Sequence, residues 1–325
     1  MPGKLSLPEA VALGVLQGPT ELLPISSSGH TNVVPWLAGW RYGELGPAER
    51  KAFEVALHAG AGVALALEMR SELVESLQTL DARHAAVVAL SLAPPVLAGY
   101  TFEEPIERRF DGPGPVAAGL VAGALALALA DLWPGRLARG GLAGIRRGRL
   151  GRNRRNGRVP GREPRGAHEA TPTDGFALGL AQAAALIPGV SRNGATLACL
   201  RARGFAREDA QTLSWHAALP VILGAVALKG WRLARGAGFG DGNKGDPDAK
   251  GKGSGDGSSS DGNNRSRGDY GGALAVGAAS AFLSTAASAR VLRRRGWRDR
   301  ALWPYAAYRC VLAALVLARA RRGAK

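Results

Sequence analysis

The chain has 325 residues, 46% hydrophobic and 6% aromatic, with 46 Gly, 42 Lys+Arg against 26 Asp+Glu and a net charge of +16. That length can bury a sizeable core without a disulfide or zinc staple. Its two cysteines, Cys199 and Cys310, lie apart in apolar stretches with no CxxC partner, which excludes a disulfide framework or thiolate metal site.

Mean hydropathy is −0.03, an average that hides segregation. Residues 135–166 hold 11 Arg in a Gly-rich setting, and residues 236–272 are Gly, Ser, Asp, Asn and Lys with almost nothing apolar. Both have too few large apolar side chains to offset the entropy of ordering, so they read as disordered loops.

In chain order, an apolar region at 5–40 is interrupted by Gly, Pro, Ser and charge. Glu9 and Gln17 break its apolar run and no small-residue cleavage pattern follows, so it does not read as a cleavable signal. Uninterrupted segments follow at 52–69, 84–100 and 115–133. After the Arg-rich block come a second interrupted region, 174–200, and segments at 210–230, 272–290 and 301–318. At about 1.5 Å per residue, each of the six is long enough for about 30 Å of hydrocarbon. The stretch Val116 to Ala130 has neither a charge nor a polar face, which a soluble surface helix would need. The many small residues suit close packing of membrane helices.

The two interrupted regions align at a constant offset. Gly14, Gln17, Ile25, Ser26, Gly29 and Thr31 fall on Gly179, Gln182, Val190, Ser191, Gly194 and Thr196, which reads as a duplication. Broken apolar segments at matching places in two halves point to a membrane-embedded site built from inverted repeats. Three full spans separate the two motifs, so re-entrant hairpins would enter from opposite faces. The expected fold is an all-α polytopic membrane protein of six transmembrane helices plus two re-entrant helix-loop-helix segments. Its organisation reads as a first membrane repeat, 1–134, with motif 13–31; an Arg-rich cytoplasmic loop, 135–172; and a second repeat, 173–325, with motif 178–196 and a disordered loop at 236–271.

Placing 135–172 in the cytoplasm also puts Arg201, Arg203, Arg207, Arg293, Arg294, Arg295, Arg298 and Arg300 inside, as the positive-inside tendency favours. The Arg319, Arg321, Arg322 tail then falls outside, against the trend. The Arg blocks alternate with spans and lack interleaved aromatics, so they fit anionic lipid headgroups and not nucleic acid.

The chemistry is concentrated in the broken segments. In the first, Gln17, Glu21, Ser26, Ser27, Ser28 and His30 fall within 14 residues, and the Ser-Ser-Ser-Gly-His run looks like a turn opening a helix, where free N–H groups favour an anion. The second carries Ser191, Arg192, Asn193 and Thr196 between glycines, a guanidinium fork with hydroxyls and amides suited to phosphate oxygens. Ionisable residues in a membrane are costly, which makes Glu21, His30 and Arg192 functional candidates. The alternative reading is a buried Glu21 and Arg192 pair holding the halves together, with the serines as caps. His58 and His216 read as helix-packing residues and Arg309 as a structural partner for a carbonyl or acid.

Gln-Gly-x-Thr-Glu-x-x-Pro-x-Ser-Ser-Ser-Gly-His at 17–30 and Pro-Gly-x-Ser-Arg-x-Gly-Ala-Thr at 188–196 resemble the undecaprenyl-diphosphatase family of bacterial membrane phosphatases, known also through bacitracin resistance. The similarity extends to Phe53-Glu-Val-Ala-Leu, Leu213-Ser-Trp-His-Ala-Ala-Leu-Pro and Pro304-Tyr-Ala-Ala-Tyr-Arg, and covers most of the chain outside the two loops. It implies hydrolysis of undecaprenyl diphosphate to undecaprenyl phosphate and phosphate, in a multi-pass protein of the bacterial plasma membrane whose site faces the extracytoplasmic side. It places Glu21, Ser27, His30 and Arg192 on catalytic positions and Gln17, Ser26, Ser28, Ser191, Asn193 and Thr196 around the substrate.

In that scheme Arg192 holds the terminal phosphate, Ser27 is the nucleophile or orients phosphate, His30 moves its proton, and Glu21 orients His30 or water or binds a divalent cation, Mg or Ca. Two departures stand out: Gln17 replaces a Glu common in the family, which weakens a two-carboxylate cation site, and Asn193 replaces the usual Ser. The resemblance admits a monomer or a homodimer. The rival function is a non-enzymatic undecaprenyl phosphate transporter, which would need the anion site but no nucleophile.

Overall fold

The computed structural model describes residues 5–78, 81–110, 112–132, 164–234, 260–294 and 300–323. Within them the first half comprises α1 Leu7–Leu22, α2 Ser27–Ala38, α3 Pro47–Glu68, α4 Arg70–Gln78, α5 Ala82–Phe110 and α6 Pro113–Leu132. The second comprises α7 Pro172–Ala184, α8 Arg192–Ala202, α9 Arg207–Ala234, α10 Ser260–Arg294 and α11 Trp303–Gly323. The described residues contain no strand, only an isolated bridge between Arg165 and Phe205. Most of the Arg-rich loop, and the polar loop as far as residue 259, lie outside the described residues; α10 already begins at Ser260, inside the stretch expected as disordered loop.

Four helical segments are long and apolar enough to cross a membrane: Ala82–Phe102, Pro113–Leu132, Arg207–Leu228 and Tyr270–Arg294. A fifth arises if α3 and α4, bent by 65° at their junction, count as one broken span. α11 is of similar length but carries Arg309, Arg319, Arg321 and Arg322.

The two broken segments become helix-turn-helix pairs for local reasons that repeat. Ser6 caps α1, accepting the Glu9 amide at 3.4 Å, and Pro24 follows its end. Ser26 then caps α2 by accepting the Gly29 N–H at 3.1 Å. In the second half Thr171 and Asp174 form a capping box at the start of α7, and Ser191 caps α8 by accepting the Gly194 N–H at 3.0 Å. The aligned Ser and Gly residues thus perform one job in both halves.

Packing interlocks the halves. α1 lies along α10, α7 lies along α5, α6 pairs with α11, and α3 meets α9. Each half's broken segment therefore packs against a long helix of the other half. The α10 contact is close enough that a Cβ on Gly18 would come within 2.6 Å of the Ser284 carbonyl oxygen, and one on Gly60 within 2.1 Å of the Ala278 carbonyl oxygen. Gly60→Ala must push α3 from α10, so we expect a loss of about 1–3 kcal/mol, read as a lower melting temperature in detergent.

Asp174, 1% exposed, is ringed by basic groups. Arg165 Nη2 lies 2.7 Å from Oδ2 and the Arg203 guanidinium bonds Oδ1. Burial alone would raise this carboxyl, but hydrogen bonds from Arg165, Thr171 and Arg203 outweigh it and hold it well below its ordinary 3.8. Below pH 3.8 the unfolded chain therefore takes up a proton that the folded chain refuses. This contribution to stability is complete above about pH 5 and is lost as pH falls through and below 3.8. Melting temperatures from pH 7 to pH 3 should show this decline in wild type and a flatter profile in Asp174→Asn.

Candidate active site

The tips of the two helix-turn-helix pairs meet. Arg192, the first residue of α8, extends Nη2 to Glu21 Oε1 at 2.7 Å, joining the second tip to α1. Asn193 reinforces the junction: Nδ2 donates to the Leu22 carbonyl at 2.7 Å, while Oδ1 accepts from Gln211 and Ser214, each at 3.1 Å. The other Glu21 oxygen accepts from Gln17 Nε2 at 3.2 Å and lies 3.6 Å from His58 Nε2. Glu21, only 5% exposed, is therefore a fully engaged buried carboxylate.

This junction borders a cavity of about 240 Å³. Its polar wall contains Glu21, Ser26, Ser27, Ser28, Ser191, Arg192 and Asn193. Its apolar lining comes from Leu186 and Val190 beside the second tip and from Val221, Ile222, Ala225 and Val226 of α9. Among the described residues Arg192 Nη1 has no hydrogen-bond partner, nor does Gln17 Oε1. A buried guanidinium N–H without an acceptor is costly unless a ligand supplies one, and Arg192 lines this cavity.

The site also takes residues that the motifs did not mark. α3 lends Lys51, Glu54, Val55 and His58, spaced so that one helical face turns to the cavity. His58 Nδ1 donates to the Glu54 carbonyl at 2.8 Å, which leaves Nε2 toward Glu21. That spacing, directly around Phe53-Glu-Val-Ala-Leu, marks a shared face but not the direction in which it turns; His58 lines the cavity and is not merely a packing residue.

Three of the expected residues point elsewhere. Gln17 reaches Glu21 but is fully buried and does not border the cavity. Thr196 is also buried, its hydroxyl bonded to backbone and to Ser214 Oγ at 2.6 Å. His30 lies behind the tip, Nδ1 2.7 Å from the Ser26 carbonyl and Nε2 2.7 Å from Tyr308 Oη. A carbonyl only accepts, so Nδ1 carries the hydrogen and in the neutral ring Nε2 accepts the Tyr308 hydroxyl. Ser26 pays for this turn with a φ of +79°, the one non-glycine in the left-handed region among the described residues.

The residues present do not make a cation cage. Glu21 and Glu54 are the carboxylates on the cavity wall, Glu21 is taken up by Arg192 and Gln17, and the described residues contain no cluster of three or more metal-ligating side chains.

The model of the family described as "Bacitracin resistance protein BacA" matches residues 10–315. The chain belongs to the BacA family. A Geobacter sulfurreducens relative of this BacA-family chain, named undecaprenyl-diphosphatase, is 35% identical over 243 residues, 71% of this chain and 78% of the relative. Relatives of the same name from Geobacter metallireducens, at 35% over 238 residues (70% and 76%), and Rubrobacter xylanophilus, at 32% over 248 (72% and 80%), agree. With its apolar helices, the BacA-family chain is an integral membrane protein.

Proposed function

We propose that this protein hydrolyses undecaprenyl diphosphate to undecaprenyl phosphate and inorganic phosphate, recycling the lipid carrier of the cell envelope and conferring bacitracin resistance. The observation that carries the reading is the Arg192 guanidinium: one arm is fixed by Glu21, the other has no hydrogen-bond partner among the described residues, and the residue lines a cavity that apolar side chains also line. A diphosphate on a polyprenyl chain matches both the polar and the apolar lining.

In the mechanism we infer, Arg192 neutralises the terminal phosphate. Ser27 Oγ attacks its phosphorus as Glu21, which lines the same cavity, takes the proton. The bond from phosphorus to the bridging oxygen breaks and undecaprenyl phosphate leaves. Water then attacks the phosphoserine, giving one proton to the Ser27 oxygen as the P–O bond breaks; phosphate leaves with the other proton and Glu21 returns its proton to solvent. A Mg or Ca ion would enter as counter-ion of the diphosphate and not on a protein cage, and no step here passes through it.

We extend the reading to the membrane. α1, α2, α7 and α8 have 16, 12, 13 and 11 residues, each too short to cross about 30 Å at 1.5 Å per residue. They are re-entrant, and the four apolar helices, the bent α3 and α4, and α11 are the six spans. The interlocked packing of α1 on α10 and α7 on α5 supports the inverted repeat. α9 begins at Arg207, beside Arg201 and Arg203, and reaches the cavity at Val221, about 21 Å along its axis. With that Arg-rich end cytoplasmic, the cavity opens to the extracytoplasmic side of the plasma membrane.

The test is phosphate release from undecaprenyl diphosphate by detergent-purified protein, with and without divalent cation. Release that disappears in Ser27→Ala supports the reading. Well-folded wild type that releases none with any cation removes it in favour of carrier transport.

A further inference from the structure

α11 places a charge behind the site that the mechanism does not use. Arg309 is 0% exposed, the largest fully buried side chain among the described residues. Its guanidinium reaches no carboxylate there. It donates instead to four backbone carbonyls: Nη1 to Pro24 at 3.3 Å, Nη2 to Gly189 at 2.9 Å and to Gly119 at 3.3 Å, and Nε to Leu120 at 3.2 Å. Pro24 belongs to the first tip, Gly189 to the second, and Gly119 and Leu120 to α6.

We propose that Arg309 is a positioning residue that holds the two tips in register, so that Ser27 and Glu21 from one half face Arg192 from the other. The inference rests on the diphosphatase reading and names a residue that reading leaves unused. Backbone at the tips departs from helix, and its carbonyls cannot be left unpaired away from water. A planar fork with five donors can serve carbonyls from three elements at once, which a Lys ammonium on a flexible stem cannot.

The surroundings are shaped for it. A Cβ on Gly123 of α6 would come within 2.0 Å of Arg309 Nη2, and one on Gly194 of α8 within 2.8 Å of Nη1. Gly119 and Gly189 meet at the same place: a Cβ on Gly119 would lie 2.2 Å from the Pro188 carbonyl oxygen. Glycines from α6, α8 and the second tip thus clear the volume the guanidinium fills. Tyr308, the preceding residue, bonds His30 of α2 at 2.7 Å, a further tie from α11 to the first tip.

The experiment measures kcat and KM for phosphate release in wild type, Arg309→Lys, Arg309→Met, Gly123→Ala and the double variant Arg309→Met with Arg192→Ala. Gly99→Ala, where a Cβ meets open space, is the control. Displacing reacting groups by about 1 Å costs on the order of 100-fold. We therefore expect kcat/KM to fall about 100-fold in Arg309→Met and about 10-fold in Arg309→Lys, with a raised KM and an unchanged elution profile. Gly123→Ala keeps the charge but displaces the fork, so it should fall in the same direction even where Arg309→Met does not fold; Gly99→Ala should match wild type.

In the double variant the Arg309 loss should shrink to a few-fold, because register no longer matters once Arg192 is gone. A purely structural role would lower kcat through the folded fraction at unchanged KM, and its loss would multiply that of Arg192→Ala. Either of those patterns overturns the inference, as does wild-type activity in both Arg309→Met and Gly123→Ala. Inactive wild type would instead retire the diphosphatase reading itself.

Discussion

Arg192→Ala should lower kcat/KM for phosphate release by about 1,000-fold or more while the protein remains monodisperse. A guanidinium that meets transferring phosphoryl charge is worth on the order of 10³ to 10⁵ in rate, and Arg192 joins the two tips at the cavity, 2.7 Å from Glu21, with Nη1 lacking a hydrogen-bond partner among the described residues. Fold should survive because Asn193 independently ties the second tip to Leu22, and because Glu21 keeps its hydrogen bond from Gln17. Arg192→Lys should recover only part of the loss, since an ammonium cannot hold Glu21 with one arm and phosphate with the other. Glu21→Gln should be similarly inactive, for a carboxamide does not take the Ser27 proton. Phosphate release and elution volume are the measurements. An Arg192→Ala enzyme within tenfold of wild type would show that phosphate does not bind at this junction.

Ser27→Ala and His30→Ala should separate. Ser27 lies on the cavity wall, so its loss should remove activity by about 1,000-fold or more and leave the melting temperature near that of wild type. His30 is 2% exposed and spends both ring nitrogens on Ser26 and Tyr308. His30→Ala creates a cavity and strands two polar partners, so it should cost about 2–4 kcal/mol, and activity should fall with stability. Tyr308→Phe should reproduce a milder form of the same effect. Should His30→Ala melt like wild type yet release no phosphate, the imidazole would be a reacting group, and the roles of Glu21 and His30 would be exchanged. Melting curves beside phosphate release decide.

The motifs made the site legible where chemistry and local geometry coincide. Ser26 and Ser191 cap helices three residues before Gly29 and Gly194, a short-range pattern that the offset between the halves reveals. Glu21 and Arg192 are also conspicuous, because an ionisable side chain in an apolar segment needs a partner. Lys51, Glu54 and His58 were not, because nothing local says that this face of α3 turns toward α1 and α9. The direction of a side chain was equally hidden: His30 and Thr196 sit in the motifs, yet one turns behind the tip to Tyr308 and the other to Ser214.

The sequence by itself determined the apolar helices, the two broken segments and their capping serines, since periodicity, length and caps act within one helix or turn. Only the tertiary structure decided that Arg192 closes on Glu21, that α3 supplies a wall of the cavity, and that Arg309 of the last helix bonds Pro24 and Gly189 together. Those contacts join residues between 37 and 285 positions apart, and they depend on which helix faces pack and where glycines let backbones approach. That is a property of the assembled helices and not of any one segment.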